Sequence, residues 1–373
     1  MAMKMKTSSS PMLPDWSLLP EELLQIVSTN VEDCFDVVHA RSVCNSWRSS
    51  FPFPSCLLRP SYSLPTFDEL TLESKDLCTL EKVPLFLFRV QAPTVASEYF
   101  LGGIGRDDHM DLPSPLQCSV KVHIQGNDPT LMNMTDCQIL SLGHQYRLVG
   151  WEPKEYRGAA FLPLNKEGRR GEFVVLLNYT NVLLVVTSAE MKWKRLENVP
   201  ASICSDLFTF RGKFYASFLA KSTFVIDPYS LEVTLLTPSP LKPLNYMVAS
   251  GDDELFLVEV SMPSCKVLDF SRFTCKVSRL DEEGGKWVEV KDLGDRVLFI
   301  GHFGNVSCSA KKLPDGCGVS GNSILFTDVP TYAYKYGVHT GNVGDDLNCW
   351  RATRENRVMI FNTEPVLALQ VEH

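Results

Sequence analysis

The sequence predicts a mainly β protein with a short all-α segment at its N-terminus, and three observations carry that reading. Apolar residues recur at helical intervals only between Asp15 and Ser50, from about Ser61 onward they alternate, and turn-forming residues then separate the alternating runs. In the helical stretch Leu23, Leu24, Val27 and Val31 share one face at i, i+1, i+4 and i+8. Pro20 suits the first turn, where its missing N–H would be unpaired anyway, and Glu21 and Glu22 complement the positive end of the helix dipole. A second helix is expected from about Asp36, carrying Val43 and Trp47 four apart, until Pro52 and Pro54 stop it.

Hairpins follow. Phe273, Cys275 and Val277 alternate along one face, the turn-rich run Asp281-Glu282-Glu283-Gly284-Gly285 comes next, and Lys286 to Val290 read as the return strand. Thr223 to Ile226, a turn at Asp227-Pro228-Tyr229-Ser230, and Leu231 to Leu235 have the same form. Gly212 to Ser217 and Glu254 to Val260 supply further strands. Phe173 to Leu177 and Val182 to Val186 flank the polar Asn178-Tyr179-Thr180-Asn181, so this apolar stretch reads as a hairpin; no segment reaches the ~18 residues a membrane span needs. Trp193, Leu235 and Trp287 close successive hairpins at steps of 42 and 52 residues. That is the length of one four-stranded propeller blade, and roughly 310 residues would hold six or seven of them. An irregular β-sandwich or a pair of barrels is the alternative.

Composition narrows the function classes. The 373 residues are 45% hydrophobic and 21% charged, as in a soluble globular chain, and 36 Lys and Arg against 44 Asp and Glu leave a net charge of −8. Such a charge gives no field for a phosphate backbone or an anionic membrane, so neither nucleic acid nor a membrane is an expected partner. The twelve cysteines form no C-x-x-C pair and the seven histidines never fall at H-x₃₋₅-H spacing, which argues against a zinc module. A start of Met1-Ala2-Met3-Lys4-Met5-Lys6 followed by Thr7-Ser8-Ser9-Ser10-Pro11 lacks an apolar signal core, and the expected location is nucleus or cytoplasm. The N-x-S/T triplets at Asn133, Asn178 and Asn305 are then chance matches.

Catalytic signals are weak. Gly316-Cys317-Gly318-Val319-Ser320-Gly321 fits G-x-G-x-x-G, yet Asn322 to Thr327 reads as a strand where a dinucleotide fingerprint opens a helix, so a loop entering a strand is expected. Gly102-Gly103-Ile104-Gly105 also leads into no helical pattern. No G-x-S-x-G elbow or cysteine-protease surround is present, and the acidic runs Asp252-Asp253-Glu254 and Asp281-Glu282-Glu283 read as solvated hairpin tips. The expectation is a non-catalytic chain with no metal and no cofactor. The helical segment is more telling, because fewer than fifty residues between Pro11 and Pro54 cannot bury their own apolar face. A helical partner protein, or docking onto the β-domain, must cover it.

Leu19-Pro20-Glu21-Glu22-Leu23-Leu24-Gln25-Ile26-Val27, then Asp36, then Arg41-Ser42-Val43-Cys44-Asn45-Ser46-Trp47-Arg48-Ser49, resembles the F-box pattern in order, spacing and residue type, with Val27 and Val31 where Ile and Leu are usual. Phe210 to Ala216, Gly251 to Glu259, Val277 to Val290, Leu293 to Gly301 and Gly318 to Asp328 resemble the KIB-like β-propeller domain of plant F-box proteins of the Skp-interacting-partner type. The resemblance implies a disordered N-terminus over 1–13, an F-box over 14–56 and a β-propeller domain over 57–373. It also implies a substrate-recognition subunit of a Skp–cullin–F-box ubiquitin ligase, holding the Skp adaptor, and through it cullin, by Leu19, Pro20, Leu23, Leu24, Val27, Val43 and Trp47. The β-domain would hold an unknown target protein. The alternative is a stoichiometric binding or inhibitory protein acting outside a ligase; a propeller enzyme with an appended interaction helix is the third reading.

Overall fold

The computed structural model describes residues 15–31, 34–54, 60–67, 76–90, 98–105, 119–122, 130–133, 137–151, 156–164, 171–219, 222–236, 244–251, 253–261, 274–301, 304–313, 319–326, 332–336, 350–351, 357–363 and 366–372. The N-terminus over 1–13 lies outside them. A 3₁₀ turn at Trp16–Leu18 opens the helical unit, followed by α1 (Glu21–Asn30), α2 (Cys34–Ala40) and α3 (Asn45–Ser50). The strands are β1 (Ser61–Pro65), β2 (Leu77–Val90), β3 (Glu98–Gly105), β4 (Ser119–Val122), β5 (Thr130–Asn133) and β6 (Cys137–Val149); β7 (Tyr156–Leu164), β8 (Glu172–Tyr179), β9 (Val182–Thr187) and β10 (Lys194–Arg195); β11 (Cys204–Phe210), β12 (Lys213–Phe218), β13 (Thr223–Ile226) and β14 (Val233–Leu235); β15 (Leu244–Ser250), β16 (Glu254–Ser261), β17 (Thr274–Asp281) and β18 (Lys286–Glu289); β19 (Arg296–Ile300), β20 (Val306–Ser309), β21 (Ser323–Phe326) and β22 (Tyr332–Lys335); and β23 (Trp350–Arg351), β24 (Arg357–Thr363) and β25 (Val366–Glu372).

Five packed sheets close a ring. β11–β14 and β15–β18 are four-stranded antiparallel meanders, and the next sheet runs β20-β19-β21-β22. β7–β10 form a similar arm, joined to β6 by the single pair Tyr146↔Ala159. The fifth sheet is built on β2 and β6 and extends through β3, β24, β25, β4 and β5. The strands β6, β7, β11, β15 and β20 are successive neighbours around the ring, and β20 returns to β6. A hydrophobic core fills each of the five junctions.

Stacking of this kind explains the uninterrupted apolar runs. Val175 and Leu177 of β8 enter the core shared with β1, β2 and β6, while Val174 and Leu176 enter the core shared with β11–β13. Val297 and Phe299 of β19 likewise face β2 and β6, and Leu298 and Ile300 face β15–β17. A strand buried on both faces has no polar side to show, so alternation vanishes from its sequence. The run around Asn178 is indeed a hairpin, with its turn narrowed to Thr180 and Asn181.

The ring holds five sheets among the described residues, where length alone suggested six or seven. β2 and β6 take 14 and 13 residues, and β3–β5 with β24 and β25 are hydrogen-bonded into the same sheet. Side chains lock neighbouring sheets. The Trp193 indole N–H donates to the Pro65 carbonyl at 2.6 Å. The Tyr336 hydroxyl accepts from the Val277 N–H at 3.1 Å and donates to the Val290 carbonyl at 2.5 Å, while Asn322 accepts from Leu293 N–H and donates to the Tyr336 carbonyl.

Val319 to Gly321, the described end of the glycine string, lead into the strand β21 and not into a helix, while Gly316, Cys317 and Gly318 lie outside the described residues. A Cβ at Gly321 would stand 2.7 Å from the Gly294 carbonyl oxygen, so this glycine serves close backbone approach.

Candidate functional site

Two features could hold partners: the helical unit and the cavity inside the ring. In the helical unit, Asp15 caps the 3₁₀ turn, accepting from the Ser17 N–H at 3.0 Å. Pro20 is the N-cap of α1, its carbonyl receiving the N–H groups of Leu23 and Leu24. The helix ends at Asn30, and Val31 is already extended, so it does not continue the apolar face. The expected second helix is split: α2 stops at Ala40, Cys44 is extended, and α3 starts at Asn45. Val43 and Trp47 therefore do not share a helix. Among the described residues Leu24, Cys34, Val38 and Phe51 are the buried apolar ones here, and α2 lies against β6.

That docking leaves much apolar surface in water. Leu23 is 47% exposed, Ile26 59% and Val27 36%, a stripe at i, i+3 and i+4 along α1. Trp16 and Leu18 precede it at 58% and 77%, and Val43 is also exposed. Each such side chain yields ~1.5–3 kcal/mol when a partner covers it.

Inside the ring lies a cavity of about 840 Å³, lined by β6, β7, β11, β15 and β20. Asp206 sits on its wall and ties three sheets together, its Oδ2 accepting from the Met247 N–H at 2.6 Å and the Asn305 amide at 3.2 Å. Ser205 Oγ lies 3.1 Å from Asn245 Oδ1, and the Asn178 amide donates to the Cys204 carbonyl at 3.0 Å. At the opposite mouth Arg211 pairs with Glu282 at 2.6 Å and Asp253 at 3.4 Å, while Glu254 holds Arg279 and Arg296. The acidic hairpin tips are thus partly consumed in ion pairs between sheets, beyond the solvated role their composition suggested.

The model of the KIB1-4 β-propeller family matches residues 85–362 of this chain. Two Arabidopsis thaliana proteins named F-box/kelch-repeat proteins are each 61% identical to it, one over 97% of both chains and the other over 100% of both. This chain belongs to the KIB1-4 β-propeller family of F-box/kelch-repeat proteins. A more distant Arabidopsis thaliana relative, named F-box protein SKIP23, is 26% identical over 84% of each chain.

Within this KIB1-4 family member the residues expected to meet an adaptor divide into two sets. Leu23, Val27 and Val43 are exposed, as is Pro20, and Leu19 is half-buried. Leu24 is fully buried, which corrects its place among surface residues. Leu24 points about 100° away from Leu23 around α1, and it is Leu24 that packs inward. Trp47 is half-buried, stacked on Phe51 with ring centroids 5.4 Å apart, and its indole N–H donates to the Trp16 carbonyl at 2.9 Å. It holds the 3₁₀ turn against α3. Sequence reasoning missed Trp16, Leu18 and Ile26 as exposed residues; Ile26, three after Leu23, carried the spacing that could have found it.

Asn178 is 4% exposed, which removes its triplet as a glycan acceptor. Burial pushes Cys78 up to about 11, and Cys204 and Cys275 also upward, away from the reactive thiolate. Among the described residues no group of three or more His, Cys, Asp or Glu is placed to hold a metal ion, and no helix is long and apolar enough to cross a membrane.

Burial also raises the Asp206 carboxyl from 3.8 to about 6, against the downward pull of the Met247, Leu207 and Asn305 donors. The folded chain then binds this proton more tightly than the unfolded one. The contribution to stability is full below 3.8, falls as pH rises toward about 6, and is constant above. Asp206→Asn removes the titration, so the stability of the wild type relative to this variant should decline between about pH 4 and 6 and then level off. Urea unfolding across that range checks it, and a difference that rises or stays flat contradicts it.

Proposed function

We propose that this chain is the substrate-recognition subunit of a Skp–cullin–F-box E3 ubiquitin ligase, acting in the nucleus or cytoplasm. The observation that carries the reading is the stripe of Leu23, Ile26 and Val27, with Trp16 and Leu18, left exposed on a helical unit that buries Leu24 and Phe51. An adaptor seated there buries the stripe, and the β-domain holds the target. Two grips on one chain make ubiquitin transfer nearly intramolecular, and the chemistry belongs to the other subunits. The F-box in the names of its relatives supports the adaptor half of this assignment.

Deleting residues 14–56 leaves target binding intact and stops ubiquitylation, and the truncated chain protects its target by occupying it. The check is the target's half-life in cells expressing the full-length or the deleted chain. Equal half-lives favour a stoichiometric binder and reject the ligase reading.

A further inference from the structure

The charges around the central cavity are distributed unevenly. At the mouth formed by the turns after β11 and β15, Arg211, Arg279 and Arg296 are all engaged by Asp253, Glu254 and Glu282. At the other mouth β7 and β11 begin, close together through the Asn178 to Cys204 bond. Arg157 lines the cavity at this end, is exposed, and has no hydrogen-bond or ion-pair partner among the described residues. Among the described residues lining the cavity the acidic one is Asp206, whose carboxylate is turned to the Met247 N–H and the Asn305 amide. This mouth therefore presents Arg157, uncompensated among the described residues, at the rim of the cavity.

A guanidinium with no protein partner is complemented by a carboxylate, with which it forms two parallel N–H···O bonds. The space of about 840 Å³ is too large for a lone ion and suits several side chains of an inserted segment. We propose that the Arg157 mouth of the central cavity receives an acidic loop of the target protein, with Arg157 as the charge partner of a Glu or Asp side chain. This rests on the β-domain being the half that holds the target.

The test titrates the full chain with a short fluorescein-labelled peptide carrying a run of glutamates, and with its glutamine counterpart, read by fluorescence anisotropy. The glutamate peptide binds saturably and the glutamine peptide at least about tenfold more weakly. Arg157→Gln lowers affinity for the glutamate peptide about tenfold or more, Arg157→Lys retains part of it, and Arg279→Gln at the far mouth leaves it unchanged. Absence of saturable binding, equal binding of the two peptides, or full binding by Arg157→Gln overturns the proposal; the wild-type peptide comparison decides even where a variant folds poorly. Capture of a recombinant Skp-type adaptor is measured on the same preparations. Lost peptide binding with intact adaptor capture rejects the cavity assignment alone, and the converse rejects the ligase reading alone.

Discussion

Replacing Leu23 and Ile26 together by aspartate lowers capture of the Skp adaptor by at least about 100-fold while leaving both the helical core and the β-domain folded. The two side chains are 47% and 59% exposed, so charge on them costs little in the free chain. In the complex the same charges are desolvated without partners, at a cost of several kcal/mol. Leu24→Asp behaves differently. It places a carboxylate at a fully buried position and disrupts the packing of α1 on α3, so adaptor capture is lost together with helical structure. Co-purification with the adaptor, set beside circular dichroism and protease resistance of the region from Trp16 to Phe51, separates the two outcomes. Wild-type capture by the Leu23, Ile26 variant would show that the exposed stripe is not the adaptor surface.

Removing residues 357–373 gives insoluble or protease-sensitive protein, with the melting temperature of any soluble fraction lowered by about 10 °C or more. β24 and β25 form a hairpin lying between β3 and β4 in one sheet, with Val358 opposite Ile104 and Leu369 opposite Val120, both pairings parallel. Without the hairpin β3 loses its pairing at Gly103 to Gly105, keeping on that edge only β23 at Tyr99 and Phe100, and β4 loses its pairing with β25, so strand edges are left unpaired. Scanning calorimetry and limited proteolysis of the truncated chain provide the measurement. A melting temperature equal to that of the full chain would rule out this closure.

The mainly β class, the helical start near Glu21, the hairpins around Asp227 and Asp281, and the strand after the glycine string were legible from residue order alone, because each follows from local period and turn chemistry. Local period also made Leu23 and Leu24 look alike, since both are apolar and adjacent. Only packing decided that Leu24 fills the core of the helical unit while Leu23 and Ile26 stay in water. The five-sheet ring was likewise hidden. Strands such as β8 and β19 are apolar on both faces, so their sequences do not say which neighbour each face meets, and blade-length arithmetic cannot tell an extra layer from longer strands such as β2 and β6. Asp206 and Arg157 carry no local signal at all. Their positions on one cavity wall come from strands β7 and β11, distant in sequence, that long-range packing brings side by side, and the burial that raises the Asp206 carboxyl exists only once the ring has closed.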